Sequence, residues 1–313
     1  MKNILVTGGA GFIGSNLVDR LLKDGNKVTI IDDFSRGKEE NLIHHKDNSN
    51  LKIYKKSICD KDILDLFKDV EIIYHLAALP RVQFSIQFPE QTNEVNINGT
   101  LNLLEICRKI GIKRFVYSSS SSAYGEQDTL PLVENMHPKP ISPYALQKLV
   151  CEHYCNLYYL LYGIETISLR YFNVYGPRHD PYEGYANLIP KAINLILNGK
   201  SPEIYGDGNQ TRDFTFVNDV IEANILAGTT SNKEAFGQVF NIGYGRNISV
   251  NELINLIIGD KNIKPIYSPP VIEPRDTLAD ISKAKKLLNW KPKIPIEEGI
   301  KETIKFFSKW KFL

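Results

Sequence analysis

The sequence predicts an α/β fold, with a doubly wound parallel sheet and a smaller α/β lobe in the C-terminal part. Three observations support this prediction. Short apolar runs alternate with amphipathic segments, a glycine-rich turn follows the first run, and Pro and Gly become frequent after about residue 175. Such alternation is typical of parallel strands joined by right-handed crossovers. We predict two interwoven domains, 1–175 and 176–313.

The predicted strands are short runs rich in β-branched and aromatic residues, which favour extended backbone. They cover residues 2–7, 26–31, 72–76, 114–118 and 165–170. Helical periodicity fills the intervals, at residues 11–23, 63–67, 93–110 and 144–162. Further helices are predicted at 187–198 and 250–257, with short strands between them. These later elements form the smaller lobe.

The composition argues against several classes of protein. The 313 residues are 42% hydrophobic and 24% charged, and the net charge is only +2. Lys and Arg are spread along the chain, whereas a nucleic-acid or membrane surface requires a concentrated basic patch. No run reaches the roughly 20 apolar residues of a membrane span, and the first apolar run is too short for a signal peptide. We expect a soluble cytoplasmic protein.

The Cys and His residues do not form a metal-binding pattern. The cysteines are Cys59, Cys107, Cys151 and Cys155, and no two have the C-x-x-C spacing of a zinc ligand pair. We predict reduced cysteines that pack as small apolar side chains. His75, His137, His153 and His179 are too scattered for a metal site. His75 follows a buried strand, and we expect it to be packed and hydrogen-bonded.

A glycine-rich turn at residues 8–14 is the strongest N-terminal signal. Gly8, Gly11 and Gly14 have the spacing G-x-x-G-x-x-G, between a predicted strand and a predicted helix. Glycines let the backbone turn sharply and approach a pyrophosphate, and the helix N-terminus presents free N–H groups to it. The turn therefore predicts a dinucleotide site of the Rossmann type. A purely structural turn is the alternative.

An acidic pair at the end of the second strand indicates which dinucleotide binds. Asp32 and Asp33 lie about 20 residues after the turn, where an acidic side chain meets the adenosine ribose. A carboxylate there would repel the 2′-phosphate of NADP, so we predict NAD. Arg36 is a counter-signal, since an Arg at this place can accept that phosphate.

Ser, Tyr and Lys residues form the candidate catalytic group. Five serines, 118–122, end the fourth strand, and Tyr144 precedes Lys148 by one helical turn. A phenol with a pKa near 10 is a weak base, but a neighbouring ammonium lowers that pKa. The tyrosine can then remove a hydroxyl proton while hydride leaves the same carbon, and a serine can hold the oxygen. The alternative is an aromatic packing stripe, because the same helix carries four more tyrosines.

With these motifs the chain resembles the extended short-chain dehydrogenase/reductase superfamily, and within it the nucleotide-sugar 4-epimerases. The resemblance covers essentially the whole chain. The matching segments are 6–14, 75–78, 96–100, 117–120, Tyr144 with Lys148, 170–177 and 212–214. The resemblance implies NAD-dependent epimerisation at C4 of a UDP-sugar, through a transient 4-keto sugar and with NAD regenerated in each cycle.

The serine run distinguishes between reactions of the superfamily. Family members place the catalytic Ser or Thr five residues before a Gly, which corresponds to Ser120 and Gly125. Related dehydratases and decarboxylases carry carboxylates just after it, where this chain has Ser121 and Ser122. This difference favours epimerisation over dehydratase or decarboxylase chemistry. A net reductase and a non-enzymatic dinucleotide sensor are the remaining alternatives.

The resemblance also implies roles for individual residues. The catalytic residues are Ser120, Tyr144 and Lys148. NAD is expected to contact Gly8, Gly11, Phe12, Ile13, Gly14, Asp32, Asp33, Ser35, Ile58, Asp60, Leu76, Ala77, Ala78, Asn96, Tyr144, Lys148 and Tyr171. The UDP-sugar is expected to contact Ser85, Ser120, Ser122, Asn173, Asn187, Leu188, Tyr205, Arg212, Arg275 and Thr277. For Asn173 the alternative is a turn residue, and for Arg212 a surface salt bridge with Asp213.

Departures from the family pattern affect the substrate end. The usual phosphate-binding Arg falls on Pro270, and Glu273 stands where Asp is common, so Arg275 is predicted to make the phosphate contact. Thr277 aligns with a position that is bulky in relatives restricted to glucose and galactose. Its small side chain leaves room for an N-acetyl group, so UDP-GlcNAc/UDP-GalNAc stands beside UDP-Glc/UDP-Gal. Relatives are often homodimers, and helices 93–110 and 144–162 would suit such a bundle.

Overall fold

The structure, a computed structural model, describes residues 1–182, 188–270 and 274–309. The strands in these ranges are β1 (Asn3–Thr7), β2 (Lys27–Asp32), β3 (Leu51–Lys55), β4 (Ile72–His75), β5 (Arg114–Ser120), β6 (Glu165–Tyr171), β7 (Val174–Tyr175), β8 (Glu203–Tyr205), β9 (Thr211–Asp213), β10 (Thr215–Phe216), β11 (Gln238–Ile242), β12 (Asn247–Ser249) and β13 (Ile266–Ser268). The α-helices are α1 (Phe12–Lys23), α2 (Val82–Gln87), α3 (Pro89–Asn93), α4 (Thr100–Ile110), α5 (Pro143–Tyr162), α6 (Leu188–Leu197), α7 (Val217–Thr229), α8 (Val250–Ile258), α9 (Ser282–Leu288) and α10 (Ile296–Lys309).

A seven-stranded parallel sheet forms the centre of the molecule, in the order β11-β6-β5-β4-β1-β2-β3. The direction of winding reverses between β1 and β4, because β2 and β3 follow on one side and β5 and β6 on the other. Ligands of such sheets bind at the carboxyl ends of the strands beside this reversal. The predicted doubly wound α/β fold is confirmed.

The two faces of the sheet are covered by separate apolar clusters. In β1 the side chains alternate, so that Ile4 and Val6 join one cluster while Leu5 joins the other. The first cluster packs on α1 and α7, and the second on α4 and α5. Cys151 and Cys155 both lie buried in the second, as their shared helical face predicts, and the cysteines are unpaired.

Most predicted elements are present within one or two residues of the predicted bounds, but two sheet strands escape prediction. β3 is an edge strand with four exposed residues, so it lacks an apolar run. β11 lies far along the chain, beyond residue 175, yet pairs with β6. The predicted helix 93–110 is also interrupted: a π-helical stretch, Glu94–Gly99, joins α3 to α4.

The chain beyond residue 175 contributes to both parts of the molecule. α7 and β11 pack with the central sheet, whereas α6, α8 and α10 pack on one another beside it. Three two-stranded sheets accompany them, β10 with β7, β12 with β9, and β13 with β8. No helix in the described ranges is long and apolar enough to cross a bilayer. The division into 1–175 and 176–313 stays a prediction about domains.

A buried ion pair ties the long helix α5 to the sheet. Glu152 on α5 and Arg170 on β6 are each 3% exposed, and the carboxylate accepts two hydrogen bonds from the guanidinium, at 2.8 and 2.7 Å. The Ser119 hydroxyl at the end of β5 donates to the same carboxylate. Arg170 also lies 4.4 Å above the centre of the Tyr124 ring. Charge and hydrogen bonding thus hold α5 against two neighbouring strands.

Removal of one partner from this pair should destabilise the fold strongly. Glu152→Gln leaves the Arg170 charge buried without a counter-charge, and we expect the free energy of unfolding to fall by about 3 kcal/mol. The control is Asp128→Asn, whose partner Lys139 lies 3.2 Å away in an exposed pair. That change should cost less than about 1 kcal/mol. Urea unfolding measures both, and equal losses would contradict the expectation.

Candidate active site

A cavity of about 490 Å³ opens at the carboxyl ends of the central strands. It extends from the glycine turn to residues of the C-terminal part. The predicted site residues that line it are Gly8, Gly11, Phe12, Ile13, Gly14, Asp32, Asp33, Ser35, Ile58, Leu76, Ala77, Ala78, Ser120, Ser122, Tyr144, Lys148, Tyr171, Asn173, Arg212 and Thr277. The fold therefore brings the predicted cofactor, catalytic and substrate residues to one cavity.

The glycine turn is closed by its own backbone. Gly8 has a φ of +69°, donates to the carbonyl of Ile31 at 2.9 Å and accepts from Gly11 at 3.2 Å. A Cβ at Gly14 would collide with the carbonyl oxygen of Gly8, so the turn requires glycine there. No side chain in the described part of the chain caps the N-terminus of α1, and its first residues, Phe12 to Gly14, face the cavity. Uncapped N–H donors at a helix N-terminus suit a diphosphate.

Asp32 lies at the end of β2, beside this turn. Its carboxylate accepts from the N–H of Ala10 at 2.8 Å and from that of Phe34 at 2.9 Å, and it is 6% exposed. Burial raises its pKa, although the two backbone hydrogen bonds oppose the shift. Arg36, the residue that could accept the 2′-phosphate of NADP, places its guanidinium 4.9 Å above the centre of the Phe84 ring. The donor and acceptor set along this wall fits NAD: N–H groups for the phosphates and a carboxylate for the ribose.

The serines orient one another at the end of β5. Ser122 donates to the Ser120 oxygen twice, from its hydroxyl at 2.7 Å and from its N–H at 3.2 Å. With these acceptor positions used, the Ser120 hydroxyl has its own hydrogen to donate towards Tyr144 or a substrate oxygen. Its bond with Tyr144 favours the ionised phenol. Ser122, predicted as a substrate contact, thus directs Ser120.

The pKa of Tyr144 is shifted in the direction opposite to the one that the sequence predicted. Lys148 donates to the carbonyl oxygen of Ser118 at 2.7 Å, and its Nζ lies 5.8 Å from the centre of the Tyr144 ring. Burial lowers the pKa of Lys148 to about 8. Burial raises the pKa of Tyr144, and the Ser120 bond and the charge of Arg81 only oppose this rise. The protein alone therefore keeps the phenol protonated at neutral pH.

Two predicted contact residues are placed behind the cavity wall instead. Ser85 is fully buried, donates to the carbonyl of Val82 at 2.7 Å and accepts from the N–H of Tyr144 at 3.0 Å. Asn96 accepts from the N–H of Leu79 at 2.8 Å and donates to the carbonyl of the same residue at 3.1 Å. In this structure Ser85 fixes the start of α5, and Asn96 fixes the loop after β4.

Where the cavity is predicted to hold the UDP-sugar, a buried carboxylate orders the backbone of the wall. Asp213 is fully buried and accepts from the N–H groups of Tyr244, Gly245 and Ala279 at 2.6, 2.9 and 3.0 Å. It is therefore no surface partner for Arg212, and that alternative was wrong. Arg212 lines the cavity and donates to the carbonyl of Arg275 at 2.7 Å.

Asn173 and Thr277 lie next to each other on the same wall. Asn173 has a φ of +31° and donates to the carbonyl of Asp213 at 3.1 Å and to the Thr277 hydroxyl at 3.4 Å. Thr277 is 8% exposed, and its hydroxyl also accepts from the N–H of Asp213 at 3.3 Å. Asn173 is thus both a turn residue and a cavity residue.

Four further predicted residues of the described ranges do not line the cavity. Arg275 is 62% exposed, and its guanidinium lies 3.6 Å from Asp207 rather than towards the cavity. Tyr205 donates to Glu203 at 2.8 Å, and Asp60 accepts from the N–H of Ser57 at 2.9 Å. Leu188 packs against the core at the start of α6. Asn187 lies outside the described residues, as does Glu273.

Sequence reasoning missed part of the lining. The segment after Gly176 contributes Arg178, His179 and Asp180, and the chain after β2 contributes Lys38 and Asn41. These residues follow the recognised motifs but form no motif with a recognisable spacing themselves. Only the fold brings them together. His75 behaves as predicted: Thr7 and Thr100 bond its two nitrogens at 2.7 and 2.9 Å, and burial lowers its pKa to about 3.

One cluster within the described ranges has ligand types suited to a metal. Nε2 of His44 and Nε2 of His45 each lie 2.8 Å from the same oxygen of Asp19. The other Asp19 oxygen accepts from Arg178 at 2.6 Å. The guanidinium cation stands where it would repel a metal ion, so we interpret the cluster as an ion-pair network.

A family model described as the NAD dependent epimerase/dehydratase family matches residues 4–243. The chain belongs to this family. Members depend on NAD, and the glycine turn, the uncapped α1 N-terminus and Asp32 are the groups of this chain that would hold it.

Relatives of the family match over nearly the full chain. A putative UDP-glucose 4-epimerase of Methanocaldococcus jannaschii is 43% identical, over 97% of this chain and 98% of the relative. A solved UDP-glucose 4-epimerase of Thermotoga maritima has a TM-score of 0.92 and 41% identity, over 98% of this chain and 99% of that one. A UDP-N-acetylglucosamine 4-epimerase of Methanobrevibacter ruminantium has a TM-score of 0.94 and 42% identity, over 98% of both chains.

Lys148 should reduce the stability of this family member at neutral pH. Its folded pKa, about 8, lies below the ordinary value of 10.5. Below pH 8 the folded and the unfolded state both hold the proton on Lys148, and the full cost of burying the charge is present. Between pH 8 and pH 10.5 the unfolded chain binds more protons than the folded protein, so this cost decreases as the pH rises. We expect Lys148→Met to stabilise the cofactor-free protein by roughly 2 kcal/mol at pH 7, with the gain lost above pH 10.

Urea unfolding at a series of pH values measures this difference. Lys139→Met is the control, since Lys139 is half exposed, and its effect should stay within about 0.5 kcal/mol at every pH. A Lys148→Met variant that is less stable than the parent at pH 7, or whose gain does not depend on pH, would contradict the expectation.

Proposed function

We propose that this protein interconverts UDP-sugars that differ at C4, with NAD as a bound redox cofactor that is regenerated in each cycle. The observation that carries the proposal is the position of Ser120, Tyr144 and Lys148 in one cavity with the glycine turn and with Arg212. The names of the relatives support the same reaction class. The proposal assigns nucleotide-sugar binding to the lobe formed within 176–313.

Tyr144 is the proposed acid and base. When bound, NAD supplies a hydride acceptor beside C4, a positive charge that favours the phenolate, and later the same hydride for the opposite face of the sugar. The ionised Tyr144 removes the proton of the C4 hydroxyl and returns it to the 4-keto oxygen after the sugar has turned. Ser120, directed by Ser122, donates a hydrogen bond to that oxygen. Lys148 adds positive charge beneath the phenol ring.

The composition of the cavity wall favours this reaction over elimination or decarboxylation. Ser121 and Ser122 follow Ser120 and line the cavity, and neither can act as a carboxylate acid or base. Within the described ranges the acidic residues of the lining are Asp32, Asp33 and Asp180. The first two lie at the end of β2 and the third lies in the segment after β7, so none comes from the β5 end. Simple redox at C4 needs no further acid or base.

The anchoring of the substrate is proposed to be unequal along its length. Arg212 is oriented by carbonyls of Thr211 and Arg275, at 3.0 and 2.7 Å, and a guanidinium held in this way suits the diphosphate. The sugar end meets short side chains, among them Thr277 and the serines. Firm binding of the nucleotide and loose binding of the sugar would let the 4-keto sugar turn over.

A homodimer is part of the proposal. The outer face of α5 carries large apolar side chains that are half or more exposed: Leu146, Leu160 and Leu161 are 50, 66 and 66% exposed. An apolar face of this kind on a long helix suits packing against the same helix of a second copy.

Epimerisation without added cofactor tests the proposal directly. The purified protein is incubated with UDP-GlcNAc and, separately, with UDP-Glc, and the nucleotide sugars are separated by chromatography. We expect UDP-GalNAc or UDP-Gal to appear, and we expect Tyr144→Phe to slow the reaction by at least about 10²-fold, because the proton transfer is lost. A product that has lost water or carbon dioxide, with no epimer, would overturn the proposal.

The size of residue 277 is proposed to set the accepted sugar. Thr277→Tyr fills the space beside Asn173, and we expect the ratio of kcat/KM for UDP-GlcNAc over UDP-Glc to fall by about tenfold or more, by steric exclusion of the N-acetyl group. Thr277→Ser, which keeps the hydroxyl and the small size, is the matched control. Parallel losses for both sugars in the tyrosine variant would show damage to the site instead of selection.

A further inference from the structure

A short segment that links the two parts of the molecule crosses the cofactor side of the cavity. We call residues 177–180 the strap. The strap follows β7 and Gly176, and three of its residues, Arg178, His179 and Asp180, line the same cavity as the glycine turn and Asp32. Arg178 and His179 contact α1, and Asp180 contacts the chain after β2.

Each residue of the strap contacts this N-terminal region. Asn16 donates to the carbonyl of Pro177 at 3.2 Å, and Arg178 donates to Asp19 at 2.6 Å. The ring of His179 stacks on Phe12, with centroids 4.3 Å apart and planes 9° apart. Lys38 lies 2.6 Å from the Asp180 carboxylate.

Three of these partners lie on one face of one helix. Phe12, Asn16 and Asp19 are spaced at i, i+4 and i+7 along α1, so they form a single stripe. Phe12 also begins the helix that follows the glycine turn. The strap is therefore attached along the helix whose N-terminus would hold the phosphates, over about two helical turns.

The strap is held in a conformation that costs energy. Arg178 has a φ of +70°, a left-handed conformation that is unfavourable for a side chain with a Cβ. Such a residue persists where its surroundings over-determine it. Here the Asp19 carboxylate, which also accepts from His44 and His45, holds the guanidinium, and the Arg178 side chain is only 12% exposed.

We propose that the strap retains the dinucleotide, because its ion pairs must open before NAD can leave the cavity. The inference rests on the proposed function, since only a cofactor that is regenerated in every cycle gains from slow release. The two ion pairs of the strap are Arg178–Asp19 and Lys38–Asp180. The Phe12–His179 stack closes the space between them, and burial holds the pKa of His179 well below its ordinary value, so the stacked ring is neutral.

Exchange of bound NAD for labelled NAD measures the retention. The holoenzyme is mixed with excess labelled NAD, and the label bound after gel filtration is followed in time. We expect Arg178→Gly to speed exchange about tenfold or more, since it removes a partly buried charged hydrogen bond. Glycine tolerates the φ of +70°, so the substitution does not itself strain the backbone of the closed strap. Lys38→Asp should speed it about threefold to tenfold, because it opposes two carboxylates.

A charge swap separates the ion pair from general damage. The double variant Lys38→Asp with Asp180→Lys restores opposite charges, and we expect its exchange rate to return to within about twofold of the parent. Lys139→Asp is the matched control, since it reverses a lysine in an exposed ion pair that is no part of the cavity lining. Its exchange rate should equal that of the parent.

Thermal unfolding of every variant accompanies the exchange measurement. Parental exchange rates in folded Arg178→Gly and Lys38→Asp variants would overturn the proposal. So would fast exchange in the charge swap, because opposite charges would then not be what closes the cavity. The assay uses no sugar, so a protein that retains NAD through the strap but epimerises no UDP-sugar would contradict the proposed function alone.

Discussion

The site depends on the position of α5 along its axis relative to the end of β5. Tyr144 and Lys148 come from the helix and Ser120 from the strand, so a shift of one residue between the two would separate them. Two side chains of α5 prevent such a shift: Lys148 bonds the Ser118 carbonyl at 2.7 Å, and Glu152 bonds both Arg170 and Ser119. Helix and strand are thereby joined on the side of the helix that faces the sheet, directly beneath the cavity.

Buried ionisable groups serve different purposes in the two halves of the cavity. Beside β5, burial raises the pKa of Tyr144 and lowers that of Lys148, so the charged form of each group is costly in the protein alone. On the proposed function, the positive charge of bound NAD would offset this cost for the ionised phenol. On the substrate side a buried carboxylate, Asp213, is used for structure: it gathers three N–H groups from two loops, and burial raises its pKa to about 6. Burial thus keeps Tyr144 uncharged in the cofactor-free protein, whereas the Asp213 carboxylate fixes the backbone of two loops.

Local spacing explains how much could be predicted. The glycine turn and the Tyr144–Lys148 pair depend on residues within one or two turns of each other, so their pattern is visible in the sequence. Ser85, Ser122 and the strap could not be predicted in their structural roles, because these depend on contacts between distant parts of the chain. Arg178 and Asp19, for example, are 159 residues apart. The effect of Lys148 on Tyr144 was also overestimated, because sequence spacing does not reveal burial.

The arrangement around Thr277 has an evolutionary consequence. Its loop is held by Asp213, whose carboxylate accepts from the backbone N–H of Ala279, a contact that does not use the side chain at position 277. The proposed catalytic residues lie on other elements, α5 and β5. On the proposed role of Thr277, a lineage could change which sugar it accepts by exchange of a single side chain, without passing through an inactive ancestor. Diversity of substrates within one architecture is the expected outcome of such separation.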